Sequence, residues 1–252
     1  TASNIFTWLL AALFKRTNSW SIILEAAALI GIIIVTAAHI AKPDLENWWA
    51  KQLHEYVTQI TTHSKALAND DEEVSKAKIA KAAKASSKQK VSEESTEPDV
   101  INFVNAAKPY ATGIFSASLL FTALLQLFIA RWWQMAAALK EQLRPELYKI
   151  RLSSIAGITF LAAIILSYFK IALAQDMLPV LYLAFCVAGL SLVHCIMAKI
   201  KAFGWLWLTV FYIVLISSWM VYHLPLGFQL VAMAALLDVW LDWRQRINKR
   251  FS

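Results

Sequence analysis

Charge is scarce in this chain of 252 residues. Asp, Glu, Lys and Arg make up 16% of it, against about 25% in an ordinary soluble domain. Glycine and proline number six each, which excludes collagen-like and Pro/Gly-rich disordered chains. Two cysteines cannot build a disulfide scaffold. Cys186 and Cys195 are nine residues apart on one helix, about 13 Å in rise and on opposite faces, so they do not bridge each other. There is no Gly-rich phosphate loop, no G-x-S-x-G elbow and no H-E-x-x-H pair. The one His of the candidate polar cluster, His194, and the scattered carboxylates around it show no metal-ligand spacing. With no nucleophile–base pair in view, the chain is expected to be no enzyme and to carry no cofactor or metal.

Apolar residues fill the gap. They are 59% of the chain, and the mean hydropathy is +0.52. They gather in runs of roughly 20, the length a helix needs to cross a hydrocarbon core of about 30 Å. The expected fold is all-α: a polytopic transmembrane bundle of six full spans, at 20–41, 110–130, 155–173, 178–198, 203–222 and 225–240. A shorter apolar run, 5–14, precedes them and reads as a partial N-terminal span cut by truncation or processing. No basic leader or small-residue cleavage site marks it as a signal peptide. The organisation is then a partial and a full span over 1–41, an insert over 42–109, and a five-span core over 110–252.

The formal net charge of +7 fits this picture better than it fits a nucleic-acid partner. Lys15 and Arg16 precede the first span. Arg131, Lys140, Arg144, Lys149 and Arg151 separate the second and third, and Lys199 and Lys201 the fourth and fifth. Arg244, Arg246, Lys249 and Arg250 follow the sixth. The opposite short loops, 175–179 and 223–225, hold no Lys or Arg. By the positive-inside rule the basic segments and the C-terminus face the cytoplasm. Trp20, Trp48, Trp49, Trp132, Trp133, Trp205, Trp207, Trp219, Trp240 and Trp243 lie near span ends, as an aromatic belt would. Each span holds one glycine (Gly31, Gly113, Gly157, Gly189, Gly204, Gly227), and these are expected packing seams.

The insert has two parts. Over 44–67, Leu45, Trp49, Leu53, Tyr56, Val57, Ile60 and Leu67 recur at mostly helical spacing, an amphipathic helix on the outer surface or over the bundle mouth. Over 68–99 the sequence is low-complexity and nearly free of large apolar residues, a solvated stretch. Eleven acidic residues between Lys42 and Lys108 argue against a nucleic-acid arm.

Ionisable groups inside spans are functional candidates by default. Glu25, Arg131, His194, Asp238, Asp242 and Arg244 all lie toward the basic side and form a candidate inner-leaflet polar cluster. One reading is a proton, cation or headgroup site, with carboxylates beside His194 relaying protons, since imidazole is the side-chain type that changes charge near neutral pH. The other is that Asp238 and Asp242 neutralise Arg131, Arg151 or Arg244. Gln126 lies mid-membrane and is expected to bond a neighbouring helix. Lys170 can snorkel, and His39 and His223 are interfacial.

Three stretches carry a family resemblance: Ala130-Arg131-Trp132-Trp133-Gln134 with Ile150-Arg151-Leu152; Gly189-Leu190-Ser191-Leu192-Val193-His194 with Gly204-Trp205; and Leu236-Leu237-Asp238-Val239-Trp240-Leu241-Asp242-Trp243-Arg244. In order and placement, over about 115–246, they resemble the YybS-like family of bacterial multi-pass membrane proteins, whose function is unknown. Similarity over 18–41 is weaker. That family is distantly similar to the substrate-binding subunits of energy-coupling-factor transporters. The resemblance implies a bacterial cytoplasmic membrane, more spans before Thr1, and a small-solute binding or transport subunit partnered by other subunits. The long charged insert departs from the pattern, and no substrate signature carries across. The alternative, from a different class, is a membrane scaffold or interaction protein whose inner polar face and elbow over 134–152 bind a cytoplasmic partner. In both readings the lipid bilayer is the constant partner.

Overall fold

The computed structural model describes residues 2–60, 104–138, 146–199, 204–222, 226–244 and 246. Among the described residues every regular element is a helix. They are α1 (Ala2–Thr17), α2 (Trp20–Ala41), α3 (45–60), α4 (Ala111–Ala138), α5 (Ser154–Tyr168), α6 (Ala172–Lys199), α7 (Gly204–Tyr222) and α8 (Leu226–Leu241). The low-complexity stretch 68–99 lies outside the described residues. The chain divides into two compact units, residues 1–40 with 112–252, and residues 41–111.

Among the described residues, three helices are long and apolar enough to cross a membrane: α2, α6, and α4 together with the turns before it (Val104–Ala136). The expectation of six full spans is therefore corrected. α5 and the apolar stretches Leu206–Ser218 and Gly227–Leu241 are 10–17 residues long. The reason is visible between α5 and α6. The expected third span runs through 173, but Lys170 takes a left-handed conformation, φ 57°. Its N–H bonds the Ser167 carbonyl, and the Ile171 N–H bonds that of Leu166. This pair of bonds is a Schellman stop, which ends α5 five residues early. The residues released go to α6, which absorbs 175–179, a stretch expected to be a loop, and carries Pro179 within its early turns. The run expected to be a partial N-terminal span is the 16-residue helix α1, closed by Asn18 at φ 47°.

In the larger unit α6 is the central element. It packs against α5, α7 and α8, and its side chains reach α2 and α4. Phe160 of α5 stacks on Phe185 of α6 (centroids 4.5 Å) and meets Tyr182 edge-on (5.0 Å). Two glycines set how closely α6 approaches its neighbours. A Cβ on Gly113 would lie 1.8 Å from the Asp176 carbonyl oxygen, and one on Gly189 2.2 Å from that of Val231. Backbone contact of this kind admits only a hydrogen at Cα, which is the small-residue packing of membrane helices.

The outward faces are apolar. Ile155, Ile158, Leu161, Ile165, Ile213, Val214 and Leu230 are among many large side chains left exposed. A water-soluble monomer does not show such stretches. The larger unit is that of a membrane-embedded protein.

The smaller unit keeps its own record. In α3 the sheltered positions Leu45, Trp49, Leu53 and Val57 recur every four residues, while Tyr56 and Ile60 are exposed. Of the stripe read from the sequence, four positions are thus sheltered and two exposed, and Leu67 lies outside the described residues. Lys42 Nζ sits 4.0 Å from the centre of the Trp48 ring, a cation–π contact.

Candidate functional site

The basic end of the larger unit is organised by an elbow, residues 146–153, between α4 and α5. An elbow cannot satisfy its own backbone as a helix does, so its groups need partners from neighbours. α2 supplies three. Ser21 Oγ accepts the Arg151 N–H (2.9 Å). Glu25 Oε1 accepts the Ser153 N–H (2.5 Å). The Trp20 indole N–H donates to Glu146 Oε2 (3.3 Å). From α4, Arg131 Nη2 reaches Glu146 Oε1 at 2.8 Å. The Arg131 guanidinium also lies 5.5 Å from the Phe14 ring centre of α1. From α6, the Ser191 hydroxyl donates to the Leu147 carbonyl. Ser153 then caps α5, its Oγ accepting the Ala156 N–H.

Two arginines join the elbow to the end of α8. Arg151 Nη2 donates to the carbonyls of Val239 (2.9 Å) and Asp238 (3.4 Å). Those carbonyls belong to the last turn of α8; that of Asp238 also accepts the Asp242 N–H (3.2 Å), and a cation at this helix C-terminus serves as a cap. Arg151 Nη1 lies 2.9 Å from Asp242 Oδ1. That oxygen makes no angle-satisfying hydrogen bond, so the pair is a charge contact. Asp242 stands just past α8 at φ 52°. Arg244 folds back: Nε to Asp238 Oδ2 (3.0 Å), Nη1 to the Tyr148 carbonyl (2.6 Å) and Ser191 Oγ (3.3 Å), Nη2 to the Ala188 carbonyl (3.2 Å). Asp238 is 2% exposed, and its Oδ1 has no hydrogen-bond partner.

The candidate cluster thus separates into three groups. Asp238, Asp242 and Arg244 come together with Arg151. Arg131 and Glu25 meet other parts of the same elbow. His194 stands apart: the Leu190 carbonyl accepts from its Nδ1 (2.9 Å), which leaves Nε2 to accept the Tyr212 hydroxyl of α7 (3.5 Å). Gln126 also stands apart, with Oε1 accepting the Thr7 hydroxyl of α1 (2.7 Å). Among the described residues, no group of three His, Cys, Asp or Glu side chains is placed to hold a metal ion. Cys186 and Cys195 are free thiols.

Sequence reasoning did not single out Glu146 or Ser191. Glu146 carried a weak signal, an acid inside a connection of five cations. Nor did it find the clamp at the other end. Asp176 is 3% exposed at the start of α6. Its Oδ1 accepts the Gly113 N–H of α4 (3.0 Å), and its Oδ2 lies 3.0 Å from His39 Nε2 of α2. The signal would have been a lone acid in an otherwise apolar run, opposite the His that closes α2.

No family model, no curated protein and no solved structure matches this chain.

Proposed function

We propose that this is a membrane scaffold or interaction protein, acting through the elbow end, which faces the cytoplasm in the orientation that the positive-inside rule favours. One observation carries the reading. Every ionisable candidate at the elbow is used to hold the elbow in place: Glu25 on Ser153, Arg131 on Glu146, Asp242 on Arg151, Asp238 on Arg244. A connection fixed to four helices presents one pre-organised surface, which lowers the ordering cost of binding. Exposed Trp132 and Trp133, at the α4 side of that surface, are residue types enriched where partners dock. The solute-binding alternative rests on a polar cavity lined by several of Gln126, His194, Glu25 or outer-loop groups. The three named residues are instead engaged with Thr7, Tyr212 and Ser153, on different helices.

Kinship with YybS-like bacterial membrane proteins belongs to the same proposal. Its support is the order of the three motifs, all of which reach the elbow, through Arg131 and Arg151, through Ser191, and through Asp238 and Arg244.

The test is affinity purification from native membranes with the partners identified by mass spectrometry. Arg131→Ala and Asp242→Ala are expected to insert normally and to lose partners that the parent chain retains. Variants that keep every partner would sink the proposal.

A further inference from the structure

The elbow end has an excess of free positive charge. Its described acids are all occupied, as Glu25, Glu146, Asp238 and Asp242 are each spent on the elbow or on the arginines that hold it. Lys15, Arg16, Lys149 and Arg246 remain exposed, and among the described residues none has an acidic partner. They belong to one rim. Lys15 and Arg16 close α1 just before Ser21, whose hydroxyl contacts the Lys149 carbonyl. The Arg246 N–H bonds the carbonyl of Asp242, the partner of Arg151. Arg131 adds a buried Nε with no hydrogen-bond partner. Trp132 and Trp133, 58% and 73% exposed, stand beside Arg131 on α4. Exposed Trp at the end of an apolar helix marks the headgroup level of a bilayer.

From this arrangement we infer that the rim of the elbow binds the phosphate headgroups of anionic phospholipids in the leaflet that surrounds it. The chemistry is that of unpaired ammonium and guanidinium groups held at phosphate height, with apolar helix faces below them for the acyl chains. Each such cation is worth about a fivefold gain in binding to an anionic surface. The inference goes beyond the scaffold reading, because purified chain and lipid alone are enough to test it.

The experiment places the full chain in nanodiscs of phosphatidylcholine with a minor fraction of phosphatidylglycerol. Native mass spectrometry then reads the ratio of the two lipids retained on the protein. The expected result is a several-fold enrichment of phosphatidylglycerol over its share in the disc, falling as salt screens the rim. The variant K15Q/R16Q/K149Q is expected to bring retention to the bulk ratio with an unchanged melting temperature. K15R/K149R is expected to keep the enrichment. Equal retention of both lipids by the parent chain overturns the inference. So does enrichment that survives neutralisation, or displacement of the lipid by inorganic phosphate, which would make free phosphate the ligand. Capture of an acidic protein by the same cations, with no lipid enrichment, overturns it as well.

Discussion

Asp238 and Arg131 carry similar charge contacts at the same end of the protein, but their surroundings give those contacts different weights. Asp238 is 2% exposed and bound to an Arg244 whose side chain is 11% exposed. Removing one member of so buried a pair leaves an uncompensated charge, at a cost of about 3–5 kcal/mol. The Arg131–Glu146 pair is about a quarter exposed on both sides, where water screens it to roughly 1 kcal/mol or less. Asp238→Asn and Arg244→Gln are each expected to destabilise by about 3 kcal/mol. Together they should cost clearly less than the sum, because the second change removes the charge that the first stranded. Reversible unfolding in mixed micelles measures both. Additive costs would show that the two side chains do not act as a pair. The charged members of this site other than Glu146 were legible because ionisable residues are rare in apolar runs. Their pairing was not, because a sequence does not say which of several acids folds back onto which arginine.

At the scale of elements, the limits of α2 were legible to the residue. Trp20 and Ala41 bound an uninterrupted apolar stretch with polar sequence on both sides. The junction between α5 and α6 was not legible. Hydropathy runs on through 169–173, and what stops α5 is a backbone conformation at Lys170, a residue type that does not advertise it. A left-handed conformation costs an L-residue about 1–2 kcal/mol, and glycine adopts it freely. Lys170→Gly is therefore expected to stabilise the protein by about 0.5–1 kcal/mol, net of glycine's greater freedom when unfolded. A thermal melt of the purified chain reads the effect as a rise in Tm. A fall would mean that the exposed Lys170 side chain does more than occupy this turn.

The larger unit is thinner between its two polar ends than its longest helices suggest. Glu25 fixes α2 to the elbow, and His39 fixes it to the Asp176 clamp at the opposite end. These two residues are 14 apart, about 21 Å of helical rise. α5 leaves the elbow at Ser154 and ends after 15 residues, about 22 Å. Both figures fall well short of a hydrocarbon core of about 30 Å. The longer helices, α4 and α6, can accommodate such a core by extending beyond the polar ends, but α5 and α8 have no residues to spare. A bilayer around them must thin, at a fraction of a kcal/mol for each ångström of mismatch. The protein is accordingly expected to be more stable by about 1–3 kcal/mol in bilayers of short acyl chains than in oleoyl bilayers. Unfolding in nanodiscs that differ only in chain length measures this. Equal stability in both would place the Glu25 and Asp176 clamps within the hydrocarbon, shielded by the helices around them, and would make the apolar thickness that of α2 and α6 instead.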